Sequence, residues 1–272
     1  MTEAISSSEP VIRMGVFGAV LLAMMLWEAV APRRPQQIGR LTRWPNNLLI
    51  VLVDTLSVRL IFPLAAVGLA LYAENQGWGL FNQVRVNGWL AVVLSVIVLD
   101  LAIYFQHRLF HAIPWLWRLH RMHHADLEFD VTTGLRFHPI EILISMLIKF
   151  AVVSALGAPA ISVLIFEVLL NATSMFNHGN VRLPRPLDRV LRLIVVTPEM
   201  HRVHHSIIRR ETNSNFGFNL PWWDRIFSTY RDQPEAGHLG MTIGIGAFRN
   251  PEELRIDRML LQPFRNPTGR SG

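Results

Sequence analysis

Residues 100–124 read DLAIYFQHRLFHAIPWLWRLHRMHH, the end of an apolar run followed at once by two histidine clusters. Asp100, Tyr104, His107 and His111 stand at i, i+4, i+7 and i+11, the spacing of one helix face. His120, His123 and His124 stand at i, i+3 and i+4, and the same His-x-x-His-His pattern recurs at His201, His204 and His205. Each cluster can point two or three imidazoles into one space. Ten of the eleven histidines fall between His107 and His205, with His138 and His178 lying between the clusters. Neutral imidazole is the commonest side-chain metal ligand near physiological pH, and a catalytic zinc typically takes about three protein ligands. So many clustered imidazoles imply more than one metal ion. His238 falls outside this window and reads as a loop histidine.

Working outward, the composition is that of a membrane protein. Of 272 residues, 51% are hydrophobic and 17% charged. There are no cysteines, so disulfides, iron–sulfur clusters and thiolate ligands are excluded. The net charge of +6 comes almost wholly from arginine, with Lys149 the only lysine. These arginines flank apolar spans, which points to membrane orientation and anionic headgroups rather than to nucleic acid.

Three apolar stretches, at about 11–31, 48–72 and 89–105, have the length that crosses a bilayer. The first lacks the basic start of a cleaved signal peptide and is followed by Pro-Arg-Arg-Pro. A fourth apolar region, 140–175, is broken by Gly157, Ala158 and Pro159, and reads as a helical hairpin or a fully crossing pair. Arg33, Arg34, Arg40 and Arg43 follow the first span, whereas the loop after the second carries only Arg85, with Glu74. The positive-inside rule then places the first loop, and by parity all three histidine clusters, in the cytoplasm. The expected fold is all-α: a multi-pass membrane helical bundle with a cytoplasmic, histidine-rich di-metal cap. The catalytic domain is expected over 11–248, between a flexible N-terminal tail (1–10) and a peripheral C-terminal tail (249–272).

Polar residues within the spans extend the histidine faces. Glu167, Asn171, Ser174 and His178 repeat the spacing of Asp100, Tyr104, His107 and His111. Ionisable groups at bilayer depth usually face a protein interior or cavity. Asp100 and Glu167 are therefore candidates to orient imidazoles or to ligate directly, with plain interhelical hydrogen bonding as the alternative. Asp130 and Glu141, flanking the His138 motif, are candidates of the same kind. Trp222, Trp223, Phe227 and Tyr230 suit a membrane interface, a substrate entrance or core packing, and Asp224–Arg225 reads as a structural ion pair.

Imidazole-rich sites suit zinc, copper, iron or nickel, and ligand number argues for two ions. The zinc-protease pattern His-Glu-x-x-His is absent, although Glu199, just before the last cluster, keeps a zinc-dependent membrane lipid hydrolase as the alternative. A metal transporter would spread its ligands along a path across the bilayer rather than gather them on one side.

The motifs HRLFH, RLHRMHH, LRFHPIE, FNHGN and MHRVHH, followed by NFGFNLPWWDRIFSTY, resemble the fatty acid hydroxylase/sterol desaturase superfamily of membrane di-iron oxygenases. The resemblance covers roughly residues 100–230. It implies that His107, His111, His120, His123, His124, His201, His204 and His205 ligate iron, with His138 and His178 at the positions of additional ligands. It further implies two iron ions, O2 as cosubstrate, and hydroxylation or desaturation of a lipid such as a fatty acyl chain, sterol or sphingolipid. No haem or flavin domain is evident, so electrons are expected from a separate reductase, ferredoxin, cytochrome or other reductant. The arginine-rich composition points to a bacterial plasma membrane.

Overall fold

The computed structural model describes residues 2–84 and 86–266. Arg85 of the loop-charge argument and residues 267–272 of the C-terminal tail lie outside the described residues. Helix α1 (Thr2–Val30) leads to α2 (Arg40–Ile61), α3 (Ala66–Asn75), α4 (Leu80–Gln83) and α5 (Gly88–Ala112). A cap follows with α6 (Pro114–His124), then the hairpin α7 (Pro139–Leu156) and α8 (Ala160–Asn177). The remaining chain forms short helices: α9 (Arg185–Leu191), α10 (Pro198–His204), α11 (Arg209–Thr212), α12 (Trp222–Ile226), α13 (Gly237–Gly240) and α14 (Ile256–Leu261). Among the described residues there is no strand, only two isolated bridges, Pro32–Val181 and Ser206–Ile243.

Among the described residues five segments are long and apolar enough to cross a membrane: Ser8–Val30, Arg40–Gln83, Gly88–Ala112, Pro139–Leu156 and Ala160–Asn177. Their ends converge. Glu28, near the end of α1, accepts from the backbone nitrogens of Val131 (2.8 Å) and Asn180 (2.7 Å). Arg43 and Asn47, near the start of α2, bond the 126–133 loop. The last turns of α5, the first turn of α7 and the end of α8 reach the same histidine layer. The hairpin therefore returns to the side it leaves, as the parity of the spans requires.

Local chemistry fixes where these helices start and stop. The Asn87 side chain caps α5 by accepting from the amides of Trp89 and Leu90. α6, α7 and α10 each begin with proline in the first turn, where the missing N–H removes nothing and the fixed φ suits the helix. Gly157 ends α7 at φ 64°, a left-handed cap that glycine adopts without steric penalty. At this apex Gly79 (φ 87°) passes so close that a Cβ on it would collide with the Gly157 backbone. An apolar core gathers α3, α5, α7 and α8 around Ala66, Ala70, Leu99, Val153, Val163 and Phe166.

Three sequence expectations change. The second span, expected at 48–72, is two helices: α2 starts at Arg40 and stops at Ile61, and α3 begins after Pro63, whose ring and missing N–H cannot continue the α2 ladder. Within the tail expected at 1–10, residues 2–10 are instead the start of α1, whose helix runs from Thr2 through Pro10 and carries a Glu9–Arg13 ion pair at 2.8 Å; Met1 lies outside the described residues. The C-terminal segment is not peripheral over 249–266. Met259 packs with Ile50 and Met122, while Arg118 and Arg121 of α6 donate to the carbonyls of Pro263, Gln262 and Arg265. A short helix needs only one apolar side to dock on an existing layer, and the polar remainder masked it.

Candidate metal centre

Nine histidines converge in two groups whose candidate ligand atoms lie within 4.8 Å of one another in each group: His107, His111, His120, His124 and His204 in one, and His123, His178, His201 and His205 in the other. Helix periodicity builds both. The last turns of α5 supply His107 and His111, α6 supplies His120, His123 and His124, and α10 supplies His201 and His204, with His205 at its C-cap. His178, the C-cap of α8, completes the second group. The groups adjoin, the His124 and His205 rings stacking at 4.5 Å between centroids. All nine are buried except His111, which is partly exposed beneath the Trp117 ring.

The hydrogen bonds settle which ring nitrogens face inward. Nδ1 of His107 bonds the Phe216 carbonyl (2.8 Å), His123 that of Arg136 (3.1 Å), His178 that of Ser174 (2.8 Å) and His204 that of Ser214 (2.7 Å). A carbonyl only accepts, so these Nδ1 atoms carry the proton and each neutral ring turns an Nε2 lone pair inward. His120 Nδ1 meets Glu141 Oε1 at 2.7 Å, and His111 Nδ1 meets Asn213 Oδ1 at 3.2 Å. Yet Nε2 atoms face one another in pairs: His107–His120 and His111–His124 at 3.1 Å, His123–His178 at 3.2 Å and His178–His201 at 3.1 Å. In the His107–His120 and His123–His178 pairs both Nδ1 atoms donate outward, so two lone pairs meet and cannot hydrogen-bond. The Nε2 atoms of His204 and His205 have no partner at all. Such a cluster calls for cations between the rings, and neutral imidazoles, six of the nine held at Nδ1 by an outer acceptor, are the donor set that transition metals take. The residues fit two metal ions.

Protonation cannot relieve the crowding. Burial pushes His120 and His178 down to about 3, in His178 with neighbouring imidazoles adding to the effect. His123, His124, His201, His204 and His205 are lowered well below their ordinary range by burial first and by one another second. The site is built neutral, as ligation requires.

The other expected site residues divide. Glu141 orients His120. Asp100 does not touch an imidazole: it accepts from Trp223 Nε1 (2.8 Å) and from the amides of Asn219 and Leu220, pinning the strap whose Phe216 carbonyl holds His107. Asp130 pairs with Arg43 at 2.5 Å beside the Arg43–Asp126 pair at 2.7 Å, locking the loop that leads to Arg136. Burial alone would raise the Asp130 carboxyl, but the Arg43 charge and the hydrogen bonds from Thr132, Arg43 and Gln36 together hold it below its usual range. Glu167 faces away from the histidines, bonding Lys149 (2.6 Å) and Arg13 (3.0 Å). His138 joins neither group. Its Nδ1 accepts from Ile140 N to cap α7, and its Nε2 meets the Leu260 carbonyl at 3.2 Å, so both ring nitrogens are engaged. Asp224 and Arg225 form no ion pair: Asp224 accepts from the Phe216 and Gly217 amides and from Thr229 Oγ1, while Arg225 lies over the Tyr230 ring. His238 is buried against Glu199 at 2.8 Å.

Sequence reasoning missed Asn213, Asp126 and the carbonyls of Ser214 and Phe216. The carbonyls have no residue signature; the others lie beside motifs already noted, but only the fold aims them.

An all-helical membrane protein whose spans end in a two-group histidine centre defines the class. The fatty acid hydroxylase family model matches residues 92–229, just over half of the chain, and the protein belongs to that family. It is 34% identical over 154 residues to an ornithine lipid hydroxylase of Rhizobium tropici, covering 56% of this chain and 45% of the relative. It is 27% identical over 165 residues to the alkylglycerol monooxygenase of Homo sapiens (59% of this chain, 34% of the relative). It is 24% identical over 149 residues to the cholesterol 25-hydroxylase of Rattus norvegicus (54% and 49%). The matched stretch thus spans less than half the length of each of these relatives. No solved structure matches the chain.

Proposed function

We propose that the protein is an integral-membrane di-iron oxygenase that uses O2 to hydroxylate an unactivated C–H bond of a lipid. The observation that carries this reading is the pair of inward-facing imidazole groups, five and four strong, at the ends of membrane-spanning helices. Five imidazoles exceed the four ligands of a tetrahedral zinc site, which favours iron. The names of the relatives favour hydroxylation over desaturation. An ornithine lipid, an alkylglycerol and a sterol share little except an aliphatic C–H bond near a membrane surface, so the substrate is taken as a membrane lipid. The zinc-hydrolase alternative needs a free general base near the last cluster. Glu199 is instead held by Arg33 (2.7 Å), Arg202 (3.2 Å) and His238 (2.8 Å). Burial alone would raise it, but the His238 bond and the arginines pull it down to about 2, a poor base.

Bound iron would supply O2 activation, with electrons from a separate donor. The residues of the chain supply the rest. His107, His111, His120, His124 and His204 hold one ion; His123, His178, His201 and His205 hold the other. Glu141, Asn213 and four backbone carbonyls fix the tautomer and angle of His120, His111, His107, His123, His178 and His204. Burial of eight ligands excludes water from the centre, which limits competing reactions. Placement of the lipid carbon then decides the product, since small displacements change reaction geometry strongly. The centre is assigned to the cytoplasmic face on the loop arginines, and the membrane to a bacterial plasma membrane on the arginine-rich composition.

The test is lipid mass analysis of cells expressing wild type or His204→Ala, with and without O2, paired with metal analysis of purified protein. The expected result is an oxygen-dependent lipid gaining one oxygen with wild type only, and about two irons per chain. Loss of two hydrogens would reassign the reaction to desaturation. Zinc in active protein, or O2-independent activity, would overturn the reading.

A further inference from the structure

Residues 182–194, RLPRPLDRVLRLI, take no part in the metal centre. Leu187, Val190, Leu193 and Ile194 recur every three or four residues and stand 47–61% exposed. On α12, Trp222 and Ile226 are exposed as well, and so is Phe227 at its C-cap. The Trp222 indole donates to the Leu193 carbonyl at 2.6 Å, and Arg225 donates to the Arg192 carbonyl at 3.2 Å, so the two elements form one surface. That surface continues onto a membrane span: Phe227 lies 5.0 Å from the exposed Phe105 ring of α5. Its depth is fixed too, because Trp223 of α12 bonds Asp100, two turns before His107 on the same helix. The apolar strip therefore runs from the cap onto the second half of a membrane-spanning helix.

A groove of about 520 Å³ opens beside it, lined by Arg185, Arg189, Arg192, Arg225 and Tyr230, with Asp188 and Asp232. Both aspartates are already bound to Arg192, at 2.8 and 2.6 Å, and Asp188 also accepts from Thr197. Among the described residues no carboxylate lies within ion-pair reach of Arg185, Arg189 or Arg225. Three guanidinium groups without an ion-pair partner thus share a groove whose four arginines outnumber its two aspartates, next to an apolar surface continuous with the exposed side of α5.

We propose that this groove binds the phosphodiester headgroup of an anionic phospholipid of the surrounding bilayer, whose acyl chains lie along the Leu193–Trp222–Ile226 strip. The guanidinium fork matches phosphate oxygens, interfacial arginines attract anionic lipids, and an apolar face flanked by cations is the pattern that seats a helix in the interface plane. The groove has the size of an ordinary small-molecule site. The site is separate from the chemistry and does not depend on the oxygenase reading.

The experiment uses the purified full chain in nonionic detergent, with binding read by native mass spectrometry and thermal shift. The probes are dihexanoyl-phosphatidylglycerol, dihexanoyl-phosphatidylcholine and glycerol 3-phosphate. Phosphatidylglycerol should bind and raise the melting temperature more than phosphatidylcholine, and glycerol 3-phosphate should fall short of it. The R185Q/R189Q/R225Q variant should weaken phosphatidylglycerol binding by about tenfold or more while keeping its metal content. Arg189→Glu, at an exposed position without an ion-pair partner, should weaken it too and covers the case in which the triple variant fails to fold. Equal binding of both phospholipids, or undiminished binding by the variants, would overturn the proposal. So would a full effect from glycerol 3-phosphate, which would make this a site for a soluble anion.

Discussion

Glu141 and His138 stand three residues apart at the start of α7, and their side chains do different work. Glu141 holds His120 through Nδ1, so Glu141→Ala frees a ring that supplies a ligand; such outer partners typically contribute about 10–100-fold to metal affinity. Glu141→Gln keeps an acceptor and should fall between. His138→Ala removes a helix cap, which costs about 1 kcal/mol, and should leave metal content at the wild-type level. Metal analysis of the three purified variants checks this ranking; loss of metal in His138→Ala would return that residue to the ligand set. Protonation gives a second prediction. Unfolded imidazoles take a proton near 6.5, whereas His120 and His178 in the fold take one only near 3. Between these values the unfolded chain binds more protons, so stability falls as pH drops below about 6.5 and goes on falling toward about 3. Metal release belongs to the same window, since protons compete for the ligand nitrogens. Melting and metal content measured from pH 8 to pH 5 should decline together; a flat profile would contradict the neutral-imidazole assignment. Nine of the ten expected ligands meet at the centre: eight stand in clusters whose i, i+3, i+4 spacing is written in the sequence, and His178 joins them from the end of α8. His138 stands apart from both groups, and nothing in its sequence neighbours shows where the Leu260 carbonyl lies.

Elements carry the second layer of the design. Met259 on α14 and Met122 on α6 are fully buried against each other and Ile50, so the C-terminal segment backs the helix that bears three ligands. Met259→Ala should destabilise the protein by about 2–5 kcal/mol, the usual range for a buried methionine truncation, and loosen metal retention through α6. At the other end, Gly79→Ala places a Cβ against the Gly157 backbone at a positive φ. Backbone cannot swing aside as a side chain can, so this change should be the worse of the two, with the loss seen as reduced yield of monodisperse protein in detergent. A tolerated Gly79→Ala would show that the α3–α4 link does not pack on the hairpin apex. The five apolar spans were legible because a crossing helix needs a long hydrophobic run. The break at Pro63 and the docking of α14 were less so. A run of apolar residues looks alike on either side of one proline, and six residues are too few for periodicity to stand out from a polar tail.

At the scale of the whole molecule, the spans and the site make one geometric statement: the ends of α1, α5 and α8 and the starts of α2 and α7 share a layer, and the α3–α4 link and the Gly157 apex lie opposite. Sidedness follows only when charge is added. Arg33, Arg34 and the arginines of the groove lie on the histidine side, which the positive-inside rule assigns to the cytoplasm. Arg43, counted among the loop charges in the sequence, is buried and paired with two aspartates, so it contributes less to the bias than its position suggests. The chain has no cysteine, which makes the orientation directly measurable with single substitutions. Gln233→Cys places a thiol at an exposed position of the cap, and Gln76→Cys places one at an exposed position on the opposite side. A membrane-impermeant maleimide added to intact cells should label Gln76→Cys and spare Gln233→Cys until the membrane is permeabilised. The reverse pattern would move the histidine centre to the outer face, and with it the source of the electrons. The convergence of nine imidazoles would stand unchanged, because it depends on where the helices end and not on which compartment they end in.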